Sequence, residues 1–157
     1  MSNERLCYRM ILHSRDEFSN LVSAIDSIAE QRDVAPSVVF KITLALDELV
    51  SNIFDYAFPG IPEPQIDVVV CVDNGVFFAK IIDNGIPFDM SKLQEPEVDK
   101  PLEERKRAVG GLGVFLVRRL MDSFTYYRYA GRNYAMICTK LDSENSEKGA
   151  GDGNDYH

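Results

Sequence analysis

The hydrophobic pattern changes period several times along the chain, and each change predicts an element. Cys7–Leu12 is a short apolar-rich run, which predicts a strand. In "SRDE", Ser14 with Glu17 three residues on has the form of a capping box. Phe18, Leu21, Val22, Ile25 and Ala29 then recur at helical spacing. A second helix is predicted from Pro36, a residue tolerated in the first turn, to about Ala57, where "FPGIPEP" stops it. On a helical wheel Ile42, Leu46, Leu49, Val50 and Ile53 form its buried stripe. The β-rich runs Gln65–Val72 and Val76–Asp83 flank Asp73-Asn74-Gly75, a strong hairpin signal because a type I′ turn needs two residues tolerant of positive φ.

From Met90 to Val109 the chain is polar, charged and without periodicity, the mark of a lid or binding loop in a compact domain. Gly110–Asp122 turns into a helix carrying Val114, Phe115, Val117, Leu120 and Met121. Ser123–Tyr129 and Tyr134–Leu141 form a last hairpin around "AGRN". The stretch 142–157 has few apolar side chains and is expected to be a disordered tail. The order β-α-α-β-β-lid-α-β-β predicts an α+β domain over residues 1–141, one sheet with helices on one face.

Bulk numbers narrow the function. A chain of 157 residues supports one well-buried core and not two ordinary domains. No apolar run approaches the roughly 20 residues of a membrane-spanning helix, and the N-terminus lacks the form of a secretion signal, so a cytoplasmic protein is expected. A net charge of −8 argues against nucleic-acid binding as the main activity. Cys7, Cys71 and Cys138 read as reduced core cysteines, with neither disulfide nor zinc spacing. His13 and His157 have no thiol or carboxylate cluster nearby, so no structural metal site is expected.

Three short motifs carry candidate chemistry. Glu48 and Asn52 stand at i and i+4 in the second helix and share a face, with Lys41 and Asp55 close in angle. That pair is compatible with a solvated face. By itself the pair reads first as such a face; the functional reading is a carboxylate that can position a hydroxyl, beside an amide oxygen suited to Mg²⁺. A second Asp-Asn-Gly, at 83–85, closes the apolar strand "VFFAKII" but leads into the charged segment instead of another strand. Asp83 is either a turn residue or an acceptor for the exocyclic amine of a planar base, with Gly85 permitting close approach and Ile86 and Phe88 as walls. Gly110-Gly111-Leu112-Gly113 opens a helix, which suits tight packing, a hinge or a phosphate at the helix N-terminus. It is neither a P-loop nor a dinucleotide fingerprint.

Each motif is weak alone, and the three in this order are specific. "ALDELVSN", "DNGIPFD" and "GGLGVFLVRRLMD" closely resemble the N, G1 and G2 boxes of the GHKL-type ATP-binding fold, which includes gyrase-like ATPases, MutL and histidine-kinase ATP domains. Length and wording look most like the stand-alone anti-sigma-factor serine/threonine kinases of the RsbW and SpoIIAB type, over about Leu6 to Leu141. The resemblance implies a two-layer sandwich of a mostly antiparallel sheet with helices on one face. It implies Glu48 as catalytic carboxylate, Asn52 as Mg²⁺ ligand, Asp83 as adenine acceptor, Gly85 near the base, and Gly111 and Gly113 at the phosphates. It implies an ATP lid at about 90–109, with Arg105, Lys106 and Arg107 as candidates for the terminal phosphate and Arg107 favoured.

Asp55-Tyr56 stands where relatives often carry a histidine, which bears on how the helix end meets the lid. With only His13 and His157, a phosphoacceptor histidine on a dimerising hairpin is missing, so the histidine-kinase reading fails. The implied activity is ATP- and Mg²⁺-dependent phosphorylation of a small anti-anti-sigma (STAS-type) partner, by a homodimer that also binds a sigma factor. The alternative is an ATP-gated module that sequesters such a regulator without transferring phosphate.

Overall fold

The computed structural model describes residues 4–90 and 111–141. In chain order these form β1 (Leu6–Leu12), a 3-10 turn (Arg15–Glu17), α1 (Phe18–Arg32), α2 (Pro36–Tyr56), β2 (Ile66–Asp73), β3 (Val76–Asp83), α3 (Gly111–Leu120), β4 (Ser123–Tyr129) and β5 (Arg132–Lys140). This is the predicted order. The lid from 91 onward, with Arg105, Lys106, Arg107 and Gly110, lies outside the described residues, as does the tail at 142–157. Met90, expected at the lid's start, is instead a core residue, 1% exposed.

The five strands form one sheet in the order β1-β2-β3-β5-β4, and every neighbouring pair is antiparallel. Side chains alternate across a pleated strand, so Ile66, Val68, Val70 and Val72 of β2 share a face with Phe77, Ala79 and Ile81 of β3 and Ala135 and Ile137 of β5. That face packs with Leu21, Ile25 and Ile28 of α1 and the whole predicted stripe of α2 in one apolar cluster. Burying each such aliphatic side chain stabilises the fold by about 1.5–3 kcal/mol. The sheet is therefore covered by helices on one face, a two-layer α+β sandwich.

Both hairpins turn on two residues with positive φ. Asn74 and Gly75 have φ of 49° and 73°, and Ala130 and Gly131 have 50° and 75°. The first Asp-Asn-Gly is thus a turn, as expected. The second turn uses only Ala130 and Gly131, so β5 starts at Arg132 and not at Tyr134.

Two expectations need correction. Ser14 makes no side-chain cap; the tight first turn sends the Glu17 N–H to the Ser14 carbonyl at 3.2 Å, and Glu17 Oε2 accepts from the His13 N–H instead. Nor are all three cysteines reduced. Cys7 and Cys71 are direct cross-strand partners in β1 and β2 and form a disulfide, while Cys138 is free. Sequence spacing hides the pair because 64 residues separate it, and only strand register brings it together.

Candidate functional site

The site is strung along α2. Of the eight buried residues on this helix, Asn52 alone is polar, at 6% exposure. The face carrying Glu48 and Asn52 is not solvated, because α3 lies against it. A methyl group added at Gly113 would collide with Glu48 Oε2 and stand 3.0 Å from Asn52 Nδ2. Only a glycine lets the start of α3 approach α2 this closely. Asp55, grouped with this pair by angle alone, is exposed and ion-paired with Arg15 on the turn before α1.

Electrostatics distinguish the two polar side chains. Glu48 is half-buried, and burial pushes its carboxyl above the ordinary 4.5, with Asp47 adding like-charge repulsion. Asn52 Nδ2 is fully buried and has no hydrogen-bond partner among the described residues. An unpaired buried amide group costs about 1–3 kcal/mol, so the position calls for a partner. Amide oxygen and nitrogen have nearly the same shape, and a flip would aim Oδ1 at the same spot. An oxygen there would be one hard ligand of the kind Mg²⁺ takes, the rest of its shell coming from water and phosphate. The residues present therefore fit Mg²⁺.

The other end of α2 meets the end of β3. Gly85 packs on Ala57, where a methyl group would strike the Ala57 carbonyl and lie 2.8 Å from its Cβ. The adjacent Ile86 N–H donates to that same carbonyl at 2.8 Å. From Glu48 to Ala57 the helix rises roughly 13 Å at its standard pitch. The two ends of the site are separated by about that distance, one at Gly113 and the other at Gly85.

Asp83, 3% exposed, anchors the second end. Its Oδ1 accepts from the Gly85 N–H at 2.9 Å and from Asn133 Nδ2 at 2.8 Å. Oδ2 receives no hydrogen bond among the described residues and is the acceptor left over. Burial raises the Asp83 carboxyl above its ordinary 3.8, opposed by those two bonds and by the Arg128 charge. Asn84 plays no part in the site: its amide ties the strand end to the Gln65 N–H and the Glu63 carbonyl. Ile86 is partly exposed, and Phe88 stands 5.8 Å from the Tyr56 ring, so both can wall a planar group.

Asn133 was not expected at the site. It faces Asp83 directly across the β3–β5 ladder and is 2% exposed. Its amide nitrogen donates to Asp83 Oδ1 and to the Ile86 carbonyl at 2.7 Å. Its oxygen accepts from Arg128 Nη1 at 2.8 Å and from the Tyr126 hydroxyl at 2.6 Å. Arg128 also donates to the Gly85 carbonyl at 3.2 Å. Because a guanidinium can only donate, it fixes the amide's orientation, and the amide in turn holds Asp83. A signal existed in the sequence: Asn133 is in phase with the inward-facing Ala135 and Ile137, a polar residue at a core position.

A two-layer sandwich with a carboxylate–amide pair on its central helix, a glycine-led helix against that pair and an aspartate closing the neighbouring strand is the architecture of GHKL-type, or Bergerat, ATPases. The chain belongs to the histidine kinase-like ATPase domain family, which matches residues 14–139. Among curated proteins it is 26% identical over 125 residues to the serine-protein kinase RsbW of Listeria monocytogenes serotype 4a (strain HCC23), covering 77% of each chain. It is 31% identical over 99 residues to the serine/threonine-protein kinase BtrW of Bordetella bronchiseptica, covering 62% of this chain and 68% of that one. Two solved structures share the fold. The RsbU and RsbW domains of Rv1364c from Mycobacterium tuberculosis superpose with a TM-score of 0.60 at 15% identity, over 87% of this chain and 32% of that one. The histidine kinase domain of Erythrobacter litoralis EL346 gives 0.56 at 15% identity, over 87% and 65%.

Proposed function

We propose that the chain is an ATP-dependent serine/threonine protein kinase of the anti-sigma-factor type. On this reading residues 1–141 form one ATP-binding domain, the protein acts in the cytoplasm as a homodimer, and it phosphorylates a small STAS-type partner, so regulating a sigma factor by partner switching. One observation carries most weight. Gly113 lies against both Glu48 and Asn52, so the start of α3 meets the only buried polar residue of α2 and a carboxylate of raised pKa.

Each residue then has a defined task. Asp83 accepts a hydrogen bond from the exocyclic amine of adenine through Oδ2, while Oδ1 stays committed to Gly85 and Asn133. Gly85 lets the base approach the α2 terminus. The N-terminus of α3, at Gly111 and Gly113, turns unpaired N–H groups and the positive end of the helix dipole toward phosphate oxygens. Asn52 would hold Mg²⁺ through Oδ1. When bound, Mg-ATP supplies the transferable phosphoryl group and the metal offsets its charge. Glu48 orients the acceptor hydroxyl and takes its proton, a task to which its upward-shifted pKa is suited. Arg107, in the ATP lid at about 90–109, is the proposed cation for the terminal phosphate.

Two relatives named as serine or serine/threonine protein kinases support the transfer reading over a purely sequestering module. The test is transfer from γ-labelled Mg-ATP in an extract of the source cell, comparing wild type with Glu48→Gln. A small labelled protein seen only with the wild type establishes the kinase and isolates its substrate. Equal labelling by the two removes Glu48 from the chemistry, and labelling by neither, with nucleotide binding verified separately, favours the sequestering module.

A further inference from the structure

The face of the sheet away from the helices carries a pair of sulfurs that the nucleotide site does not use. β1 is an edge strand, bonded to β2 on one side only. Cys7 stands opposite Cys71 in that ladder, with a Cα–Cα separation of 4.2 Å. Cys7 is exposed, whereas Cys71 is 2% exposed. On the same face of β1, Arg5 pairs with Asp73 at 3.3 Å and Arg9 with Asp67 at 2.6 Å. Each guanidinium is therefore already matched by a carboxylate, and access distinguishes the two cysteines. The pair lies at the opposite end of the strands from the row containing Leu12, Ile66 and Asp83, so it stands apart from the nucleotide reading.

We propose that Cys7 and Cys71 form a reversible thiol–disulfide site that reacts with low-molecular-weight disulfides through Cys7, fastening edge strand β1 to the sheet when oxidised. In the first step the Cys7 thiolate, having lost its proton to solvent, attacks one sulfur of the small disulfide. A mixed S–S bond forms, the small S–S bond breaks, and one small thiolate leaves and is protonated. The Cys71 thiolate then attacks the Cys7 sulfur, forming the cross-strand bond and expelling the second small thiol. Two protein thiols are oxidised by one electron each, and the small disulfide is reduced by two. Register already holds Cys71 in place for the second step, so the mixed disulfide is short-lived. The reverse exchange with a dithiol removes this covalent tie, leaving the strand held by its ladder and by the Arg5–Asp73 and Arg9–Asp67 pairs.

The experiment uses the full chain carrying Cys138→Ser, with oxidised glutathione as probe, followed by alkylation and peptide mass mapping under native conditions. The reduced protein is expected to lose two hydrogens in mass and to yield a linked Cys7–Cys71 peptide pair. With Cys71→Ser added, one glutathione accumulates on Cys7. With Cys7→Ser added, Cys71 takes none until the protein is unfolded. Closing a loop of this length is expected to raise the melting temperature of the oxidised form by about 5–10 °C, reversibly with a dithiol. Glutathione on Cys71 in the Cys7→Ser chain, or two freely alkylated thiols in the treated parent, would overturn the proposal. If a serine variant fails to melt cooperatively, the reduced parent decides, through the order in which its thiols are alkylated. Cys7 before Cys71 supports the site, and the reverse order rejects it.

Discussion

Replacing Gly113 by alanine should separate stability from activity. The added methyl group falls on Glu48 Oε2 and stands 3.0 Å from Asn52 Nδ2. The first of these is the far end of a flexible, half-buried side chain, so the carboxylate can swing aside by most of an ångström while the fold persists. Alanine also improves intrinsic helix propensity by up to about 1 kcal/mol, which offsets much of the packing cost of about 1–3 kcal/mol. Net stability should stay within about 1–2 kcal/mol of wild type, a few degrees in melting temperature for a domain of this size. Displacing a catalytic group by an ångström typically costs roughly a hundredfold in rate. Gly113→Ala should therefore melt within a few degrees of wild type yet transfer phosphate about a hundred times more slowly. Thermal melts by circular dichroism and single-turnover transfer at saturating Mg-ATP measure the two quantities. Wild-type transfer by a well-folded variant would show that the Glu48 carboxylate need not occupy its observed position. An unfolded variant would show that Glu48 cannot yield.

Further tests address the other end of the site and its titration. Gly85→Ala should contrast with Gly113→Ala, because its methyl group meets the Ala57 carbonyl, which is backbone and cannot turn away. A loss of about 1–3 kcal/mol in urea unfolding is expected, and unchanged stability would discredit the close approach. Asp83→Asn should weaken ATP binding by about ten- to a hundredfold in calorimetric titration, since a bond to a charged acceptor is worth about 1.5–3 kcal/mol; unaltered affinity would refute the adenine role. Asn133→Ala leaves Arg128, Tyr126 and Asp83 short of a partner, so both melting temperature and ATP affinity should fall, and a drop in stability alone would limit Asn133 to the fold. Burial raises the pKa of Asp83 in the fold, so the folded chain holds its proton to higher pH than the unfolded chain. The stability of wild type relative to Asp83→Asn should therefore fall as pH rises from the ordinary 3.8 through the raised value, and a rise over that interval would contradict the shift. The acid limb of the transfer rate should likewise lie above 4.5, where Glu48 loses its proton.

The elements legible in the sequence were those whose signal is local. Helical periodicity found the α2 stripe, and Asn-Gly found the first hairpin, because both depend on neighbours within a few positions. The same wheel placed Asp55 with Glu48 and Asn52, yet Asp55 turns to Arg15, a partner 40 residues away in sequence that no periodicity reports. Asn52 read as polar and was found buried because a second helix covers it, which depends on Gly113. The Cys7–Cys71 bond and the Asp83–Asn133 contact are both consequences of strand register, and a two-sided sheet does not disclose its register until it is assembled. Motif order named the candidate site, and strand pairing brought Asn133 beside it.

The order β1-β2-β3-β5-β4 also constrains the sequence of events in synthesis. β5 docks on β3 with β4 outside it, so the last described strand completes the middle of the sheet. A nascent chain through residue 90 already contains α2, Asp83 and Gly85, but lacks the Asn133 amide that fixes the carboxylate and the α3 glycine that meets Glu48. A chain that ends before β5 therefore lacks part of this pocket. If the proposed function holds, nucleotide capture begins only when the C-terminal hairpin, with Asn133, has left the ribosome.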